Sequence, residues 1–521
     1  MPHLRPLHLV NPFRLLACFA AFALLGACGG SSEGPPAPTP VALPGAGIPT
    51  PAPTARCTAP NRTDGVLFGA NVNALFWEAH YGDPRLLASV RSLGQPLVRL
   101  PGGTESDYFD WTLGRPVEAC RYGGCRTWDG ATLTPPALYQ GFGTFRNSTS
   151  AGFSAFSRNV GGRLLLVANT MTASVEDNVR WISAVQEAGE PVALIELANE
   201  PYFGQVEGTD NTQRLYPTAA SHVAYARRLA AALRVSTPSA KLAYPAFVPR
   251  VDVATGAPSP GHDARMLSWN EQMLAAGIAG DVDAFALHFY PRLPGRQGAA
   301  DAAYLRTLST FASSYWQATL GQPQWSLLPA SKRLWITELN ASFADAPELV
   351  GSWIHGLIQA QLMLLMVQDN RVDIVLQHML TGNPQWQAIV HPGRTPDIAP
   401  APGFTPYALT ATGEALAALS EVFRGSTCVE RVETGAMAVV GVFVRTPGAE
   451  RAVFINAGAD PLTIDIRGLG LASAVAVQRT AAPLGRPAGG ATISTLQVSL
   501  GTDGRSIVIA PHAITTLTST S

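Results

Sequence analysis

Between Arg62 and Leu419 the chain repeats one alternation eight times: a short β-rich apolar run, then a stretch patterned as a helix. The runs are Val66–Asn71, Leu97–Leu100, Leu164–Asn169, Val192–Leu197, Lys241–Phe247, Ala284–Phe289, Arg333–Thr337 and Ile374–His378. Most are apolar without a break instead of alternating with polar residues. A strand reads that way when helices cover both faces of its sheet, which means parallel strands. Helical patterns over Asp83–Ser92, Ser174–Ala188, Thr218–Val235 and Leu349–Gln368 supply crossovers, and Ser174-Val-Glu-Asp177 has the form of a capping box. Eight β-then-α units predict an α/β fold, a TIM (β/α)8 barrel with insertions. The competing architecture, a doubly wound sheet, wants a glycine-rich phosphate loop after its first strand, and Val66–Asn71 is followed by none.

From about Glu421 the pattern changes. Val439–Arg445, Arg451–Asn456, Leu462–Ile466, Ala474–Gln478 and Ser506–Ala510 are short β-type runs separated by Gly, Pro and Asp, with no helix between them. They predict a smaller antiparallel β-sandwich. The expected division is a catalytic barrel over 57–420 and a sandwich over 421–521, the second packed structurally on the first.

In a barrel of this kind, chemistry sits at the C-terminal ends of strands. The fourth run ends Ile195-Glu-Leu-Ala-Asn-Glu-Pro201 and brings Asn199 and Glu200 to its exit. The seventh ends Leu334-Trp-Ile-Thr-Glu-Leu-Asn340 and brings Glu338 to its exit. The sixth supplies His288 and Tyr290, and the second supplies Arg99 just before Pro101-Gly-Gly103. Two carboxylates at facing exits are what glycoside hydrolysis needs. One gives a proton to the leaving oxygen, and the other, ionised, attacks the anomeric carbon. A lone Glu after a strand is more simply a surface or capping carboxylate. The pairing of Asn-Glu-Pro with Trp-x-Thr-Glu is what favours catalysis.

On these motifs the chain resembles the clan A glycoside hydrolases over roughly residues 62–419. It looks nearest to heparanase-like and related families with an appended β-sandwich. Phe68-Gly-Ala-Asn-Val-Asn73, Arg99-Leu-Pro-Gly-Gly-Thr104 with Asp107-Tyr-Phe-Asp-Trp111, and Glu196-Leu-Ala-Asn-Glu-Pro201 are similar to their openings and fourth strand. Those families often carry Gly in place of Ala198. Val453-Phe-Ile-Asn456 and Ile507-Val-Ile-Ala-Pro511 look like their sandwich strands. Arabinofuranosidase and xylosidase families share much of the pattern.

The resemblance implies Glu200 as acid/base, Glu338 as nucleophile, Asn199 holding the 2-hydroxyl and Tyr290 donating towards Glu338. It also implies His288 shaping the same wall and Arg99 keeping the nucleophile ionised. For Arg99 a buried structural ion pair, and for His288 a satisfied core histidine, stand as the plainer readings. Trp386, with Gln377 and His378, is expected to line one end of the cleft. Tyr108, Trp111, Tyr202, Phe203 and Trp77 are candidates for stacking on sugar faces or for ordinary packing.

The expected activity is retaining hydrolysis of a glycan by double displacement, with an oligo- or polysaccharide as substrate. The alternative is a glycan-binding surface lipoprotein without catalysis, for which the two glutamates and Asn199 would serve no purpose. An esterase would show a Gly-x-Ser-x-Gly elbow between a strand and a helix, and residues 57–420 hold none.

The N-terminus says where such an enzyme works. Arg5 and Arg14 precede an apolar run from Leu15 to Ala27, which reads as a secretory signal too short to span a bilayer. Leu25-Gly-Ala-Cys28 resembles a bacterial lipobox and implies lipidation at Cys28, with signal and lipobox occupying 1–28. An ordinary signal with a chance cysteine is the simpler alternative. Gly29 instead of Asp implies the outer membrane, reached by a lipid anchor and no spanning helix. Residues 29–56 hold eight prolines among Gly, Ser, Ala and Thr and cannot bury a core, so they read as a tether.

A formal net charge of −1 and the lack of any basic run argue against nucleic-acid binding. No Cys or His cluster has zinc-ligand spacing, and no metal or cofactor is implied. Cys18 leaves with the signal. The four cysteines left after Cys28 predict two disulfides in an oxidising compartment. The two glycines between Cys120 and Cys125 allow a tight bridge there, leaving Cys57 to join Cys428 and fasten the N-terminal segment to the sandwich.

Overall fold

The structure is a computed structural model of the chain. It describes residues 57–520, apart from 73–79, 135–147, 296–300, 383–386, 391–404, 486–492 and gaps of one to three residues. The signal, Cys28, the tether, Trp77 and Trp386 lie outside the described residues.

Eight parallel strands close into a barrel. They are β1 (Leu67–Asn71), β2 (Leu97–Leu100), β3 (Arg163–Val167), β4 (Leu194–Glu196), β5 (Lys241–Pro245), β6 (Ala284–Phe289), β7 (Arg333–Leu339) and β8 (Val372–Gln377). The crossovers are α1 (Pro84–Ser92), α2 (Ser150–Val160), α3 (Val175–Glu187), α4 (Ala219–Ser236), α5 (Ala264–Ala275), α6 (Ala302–Leu320) and α7 (Trp353–Val367), and α8 (Ala411–Phe423) follows β8. All eight apolar runs became barrel strands, each followed by one of these helices.

Local chemistry sets the helix starts. Ser174 caps α3 in a reciprocal box with Asp177, and Thr218 does the same for α4 with Ser221. The pattern at Leu349 suggested an earlier start for α7. Instead Ser352 accepts from the His355 amide, and the helix begins at Trp353.

Continuous apolarity has two causes, one per face. Leu97, Leu165, Val167, Leu194, Ala243, Ala284, Ala286, Trp335, Ile374 and Leu376 fill the barrel interior. Intervening residues such as Val98, Leu164, Leu166 and Ile195 join the larger core between barrel and helices. The inward set changes from apolar to polar near the C-terminal ends. There Arg99, Glu196 and His288 continue the inward rows begun by Leu97, Leu194 and Ala286.

The second domain is antiparallel throughout. Its strands are β9 (Cys428–Val432), β10 (Val439–Thr446), β11 (Ala449–Asn456), β12 (Leu462–Asp465), β13 (Val475–Thr480), β14 (Ser494–Val498), β15 (Ser506–Ile509) and β16 (Ala513–Thr520). Six form one sheet in the order β9-β10-β11-β16-β13-β14, and β12 pairs with β15. Phe443, Phe454, Ile464, Ile507, Ile509 and Leu517 fill the space between them.

Three of these strands were absent from the sequence reading. β14 has four exposed residues out of five and so carries no apolar alternation. β16 is dominated by threonines, and β9 mixes charges with valines.

Cys57 is bonded to Cys428, and Cys120 to Cys125. The first bond lies in the core of the second domain. The Cys57 amide donates to Glu430 at 2.7 Å and its carbonyl accepts from Arg445. Trp353 at the start of α7 donates from its indole to the His512 carbonyl at 2.6 Å, docking barrel helix against sandwich.

Candidate active site

Arg99 organises the barrel mouth. It is fully buried, and a guanidinium in that position must be paired and hydrogen-bonded throughout. Its Nε donates to Glu196 Oε2 at 2.7 Å and its Nη2 to Glu196 Oε1 at 3.2 Å. Nη1 donates to Glu338 Oε1 and Asn71 Oδ1, both at 2.7 Å, and to the Gly102 carbonyl at 3.1 Å. Nη2 also donates to Asn199 Oδ1 at 2.9 Å. One cation from β2 thus ties together the exits of β1, β4 and β7. Because Asn199 accepts through its oxygen, its amide NH₂ is left as the donor.

Glu338 comes to face the barrel axis through a break in register. Trp335 points inward, so strict alternation would turn Thr337 in and Glu338 out. The β6–β7 pairing instead passes from Leu287↔Ile336 to His288↔Glu338, which inserts one residue. With that bulge both Thr337 and Glu338 reach the interior cluster. Glu338 Oε1 takes Arg99, and Oε2 accepts a short hydrogen bond from the Tyr290 hydroxyl. Its side chain is 4% exposed. Burial works against its charge, but His288, Arg99 and the Tyr290 hydrogen bond outweigh that and hold its pKa at about 2.

Glu200 sits differently. It lies four residues past the end of β4, at φ 41°, in the left-handed region that a non-glycine residue seldom adopts. Its side chain is 19% exposed. His288 Nδ1 is 2.8 Å from its Oε1, and the Tyr202 hydroxyl donates to the same oxygen at 3.1 Å. One carboxylate oxygen from each of Glu200 and Glu338, and a His288 ring nitrogen, lie within 4.8 Å of one another.

His288 bridges the two glutamates. Burial alone would lower its pKa, yet Glu338, Glu200 and Glu196 raise it to about 10. It is therefore an imidazolium at neutral pH. Its Nε2 meets Thr337 Oγ1 at 3.0 Å and Glu196 Oε1 at 3.5 Å. A protonated imidazole offers no lone pair to a cation, so this trio is poorly suited to hold a metal. The other such cluster among the described residues, Cys57, Cys428 and Glu430, has both sulfurs in a disulfide.

The second strand's exit completes the wall. Gly103 packs so close to Glu338 that an added Cβ would stand 3.3 Å from Oε1. The neighbouring Gly102 has φ 133°, open only to glycine. Beyond it a short helical turn, Thr104–Tyr108, carries the buried carboxyls of Glu105 and Asp107.

The structure brings Glu200, Glu338, Asn199, Tyr290, His288 and Arg99 into one cluster. Arg99 is a buried ion pair, as its plainer reading had it, and one of its two partners is Glu338. His288 is likewise packed and hydrogen-bonded, but to both glutamates. Gln377 does not line the cleft: it is fully buried, and its side chain is bound to Gln359 at 2.6 Å. His378 does reach the site, with Nδ1 3.5 Å from Glu338 Oε2. Tyr108 is a buried packing residue whose hydroxyl accepts from Asn211 at 3.3 Å. Tyr202 proves to be a hydroxyl donor to Glu200.

Glu196 was not singled out from sequence, nor was Thr337. A signal existed for Glu196: one charge inside an apolar strand, matched by Arg99 inside another, implies mutual pairing.

No protein-family model matches the chain, and no curated protein matches it. Solved structures do. The family 51 α-L-arabinofuranosidase of Bifidobacterium longum superposes with a TM-score of 0.59 at 14% identity, covering 89% of this chain and 97% of that one. The family 51 arabinofuranosidase of Xanthomonas axonopodis pv. citri gives 0.57 at 16% identity, covering 88% and 97%. The 4-O-α-L-rhamnosyl-β-D-glucuronidase of Fusarium oxysporum gives 0.54 at 15% identity, covering 90% and 99%.

The architecture, a closed eight-stranded barrel followed by an antiparallel β domain, is therefore the fold of clan A glycoside hydrolases. The chain shares that fold over nearly its whole described length. These neighbours do not single out the heparanase-like group.

Proposed function

We propose that the protein is a retaining glycoside hydrolase. The observation that carries this reading is the proximity of Glu200 and Glu338, with carboxylate oxygens within 4.8 Å across one cleft. Retaining enzymes hold their carboxyls roughly 5–5.5 Å apart, whereas inverting ones need about 6.5–9.5 Å to admit a water.

Glu338, ionised and held by Arg99 and Tyr290, attacks the anomeric carbon. Glu200 protonates the departing oxygen and is left as a carboxylate beside the charged His288, whose Nδ1 is 2.8 Å away. In the second step Glu200 takes a proton from water, which displaces Glu338. Asn199 directs its NH₂ to the sugar's 2-hydroxyl. The decisive experiment is a screen of aryl glycosides, with β-glucuronide, α-arabinofuranoside and β-xyloside included. It is followed by mass spectrometry of enzyme treated with a slowly turned-over 2-fluoro glycoside. A glycosyl ester on Glu338 is expected; attachment elsewhere, or inverted product, overturns the reading.

We further propose that residues 1–28 direct export and lipidation at Cys28, with 29–56 as tether to the outer membrane. Among the described residues no helix is long and apolar enough to cross a membrane, so attachment would rest on the lipid. Cys28→Ala should move the protein from the membrane to the soluble fraction of an expressing Gram-negative cell. An unchanged distribution would refute the anchor.

A further inference from the structure

Asp107 is the buried carboxyl that the mechanism above leaves unused. It sits on the turn Thr104–Tyr108, which follows β2 at the same barrel mouth as the two glutamates. The turn is anchored on both sides. The Ser106 amide and hydroxyl donate to the Gly103 carbonyl at 2.9 and 2.7 Å, and Thr172 Oγ1, beyond β3, donates to the Asp107 carbonyl at 3.4 Å. Asp107 is 6% exposed, yet among the described residues its carboxyl makes no hydrogen bond and no ion pair. Every other buried carboxylate of the cluster has a partner: Glu196 and Glu338 have Arg99, and Glu105 also has one. A carboxyl packed among other acids without a protein partner calls for an explanation in a native structure, and a ligand that completes it is one. Burial, then the charge on Glu200, hold its pKa well above the usual carboxylate range against the pull of Arg99. At the barrel mouth that carboxyl can accept from a sugar hydroxyl and, when protonated, can also donate to one.

We propose that Asp107 is a further substrate-binding residue, whose carboxyl takes one hydroxyl of the bound sugar on the Glu200 side of the cleft. The proposal rests on the glycosidase reading. A hydroxyl fits because it donates to a carboxyl oxygen and can accept from the carboxyl when that is protonated. A site built to hydrogen-bond a hydroxyl discriminates strongly against the analogue that lacks it, since the buried group is then left unpaired.

The test couples an enzyme change to a substrate change. The best aryl glycoside from the screen is compared with its monodeoxy analogues, using wild type, Asp107→Asn and Asp107→Leu. For wild type, kcat/KM should fall about 10- to 100-fold on loss of one particular hydroxyl. Asp107→Leu should be slower on the parent by a similar factor and indifferent to that hydroxyl. Asp107→Asn, which keeps a hydrogen-bonding group of the same size, should recover most of the parent rate and the discrimination. A purely structural role would lower all substrates equally. Overturning results are a parent rate for Asp107→Leu within twofold of wild type, or the same deoxy/parent ratio in wild type and Asp107→Leu at every position. Absence of turnover by wild type on any glycoside would instead bring down the underlying reading, and this proposal with it.

Discussion

The exits of β4 and β7 each present a glutamate to one cleft, but they are built in opposite ways. Glu338 is still within its strand, turned inward by a bulge, 4% exposed and bound by Arg99 and Tyr290. Glu200 is past its strand, at a left-handed backbone position, 19% exposed and bound by a histidine and a tyrosine. A rigid, permanently ionised carboxylate suits covalent attack. A carboxyl at the open side, beside a cationic imidazole, suits passing protons to and from groups that come and go. On the proposed mechanism the division of labour lies in surroundings, since the two side chains are chemically identical.

The largest expected effect removes the proposed nucleophile. Glu338→Ala should lower kcat on the order of 10⁴-fold or more with every leaving group, and show no burst. A burst from a dinitrophenyl glycoside in this variant would break the comparison outright. Glu200→Ala should depend on the leaving group. With a sugar alkoxide the loss should be about 10²–10⁴-fold. With dinitrophenolate a glycosyl-enzyme should still form and then stall, and azide should speed its release because it needs no general base. Equal losses on both substrates, with azide without effect, would reverse or abolish the assigned roles.

A third test uses pH. His288 has its pKa raised from 6.5 to about 10, so its contribution to folding is complete below pH 6.5 and is lost as pH rises through 10. Glu338 is lowered from 4.5 to about 2, so its contribution is present above pH 4.5 and disappears as pH falls through 2. Both operate together between pH 4.5 and 6.5. The urea midpoint should decline from pH 6.5 towards 10, and His288→Gln should flatten that decline. An identical slope in the variant would show that the imidazolium is not the group responsible.

The smallest effect concerns the backbone. At φ 41° an alanine keeps the strain that a glycine relieves, so Glu200→Gly should be more stable than Glu200→Ala by about 1 kcal/mol. Both lack the carboxyl, and thermal unfolding compares them directly. No difference would mean that Glu200 is not held in the left-handed region in solution.

What could be read before the structure depended on whether a signal was local. A parallel strand covered on both faces must be apolar along its length, so eight runs such as Ala284–Phe289 announced the barrel, and a carboxylate after such a run announced a mouth residue. The helix caps at Ser174 and Thr218 are equally local. Where a strand is exposed, as at Ser494–Val498, burial leaves no mark on the residue pattern and the strand went unseen. The inward turn of Glu338 depends on a register shift against β6, which no single strand encodes. The partners of Arg99 come from β1, β4 and β7, and only closure of the barrel brings them within 2.7–3.2 Å. Sequence alone determined the fold and which acids stand at strand ends. Tertiary structure decided which of them is held charged, because a pKa is set by neighbours distant in the chain and by exclusion of water.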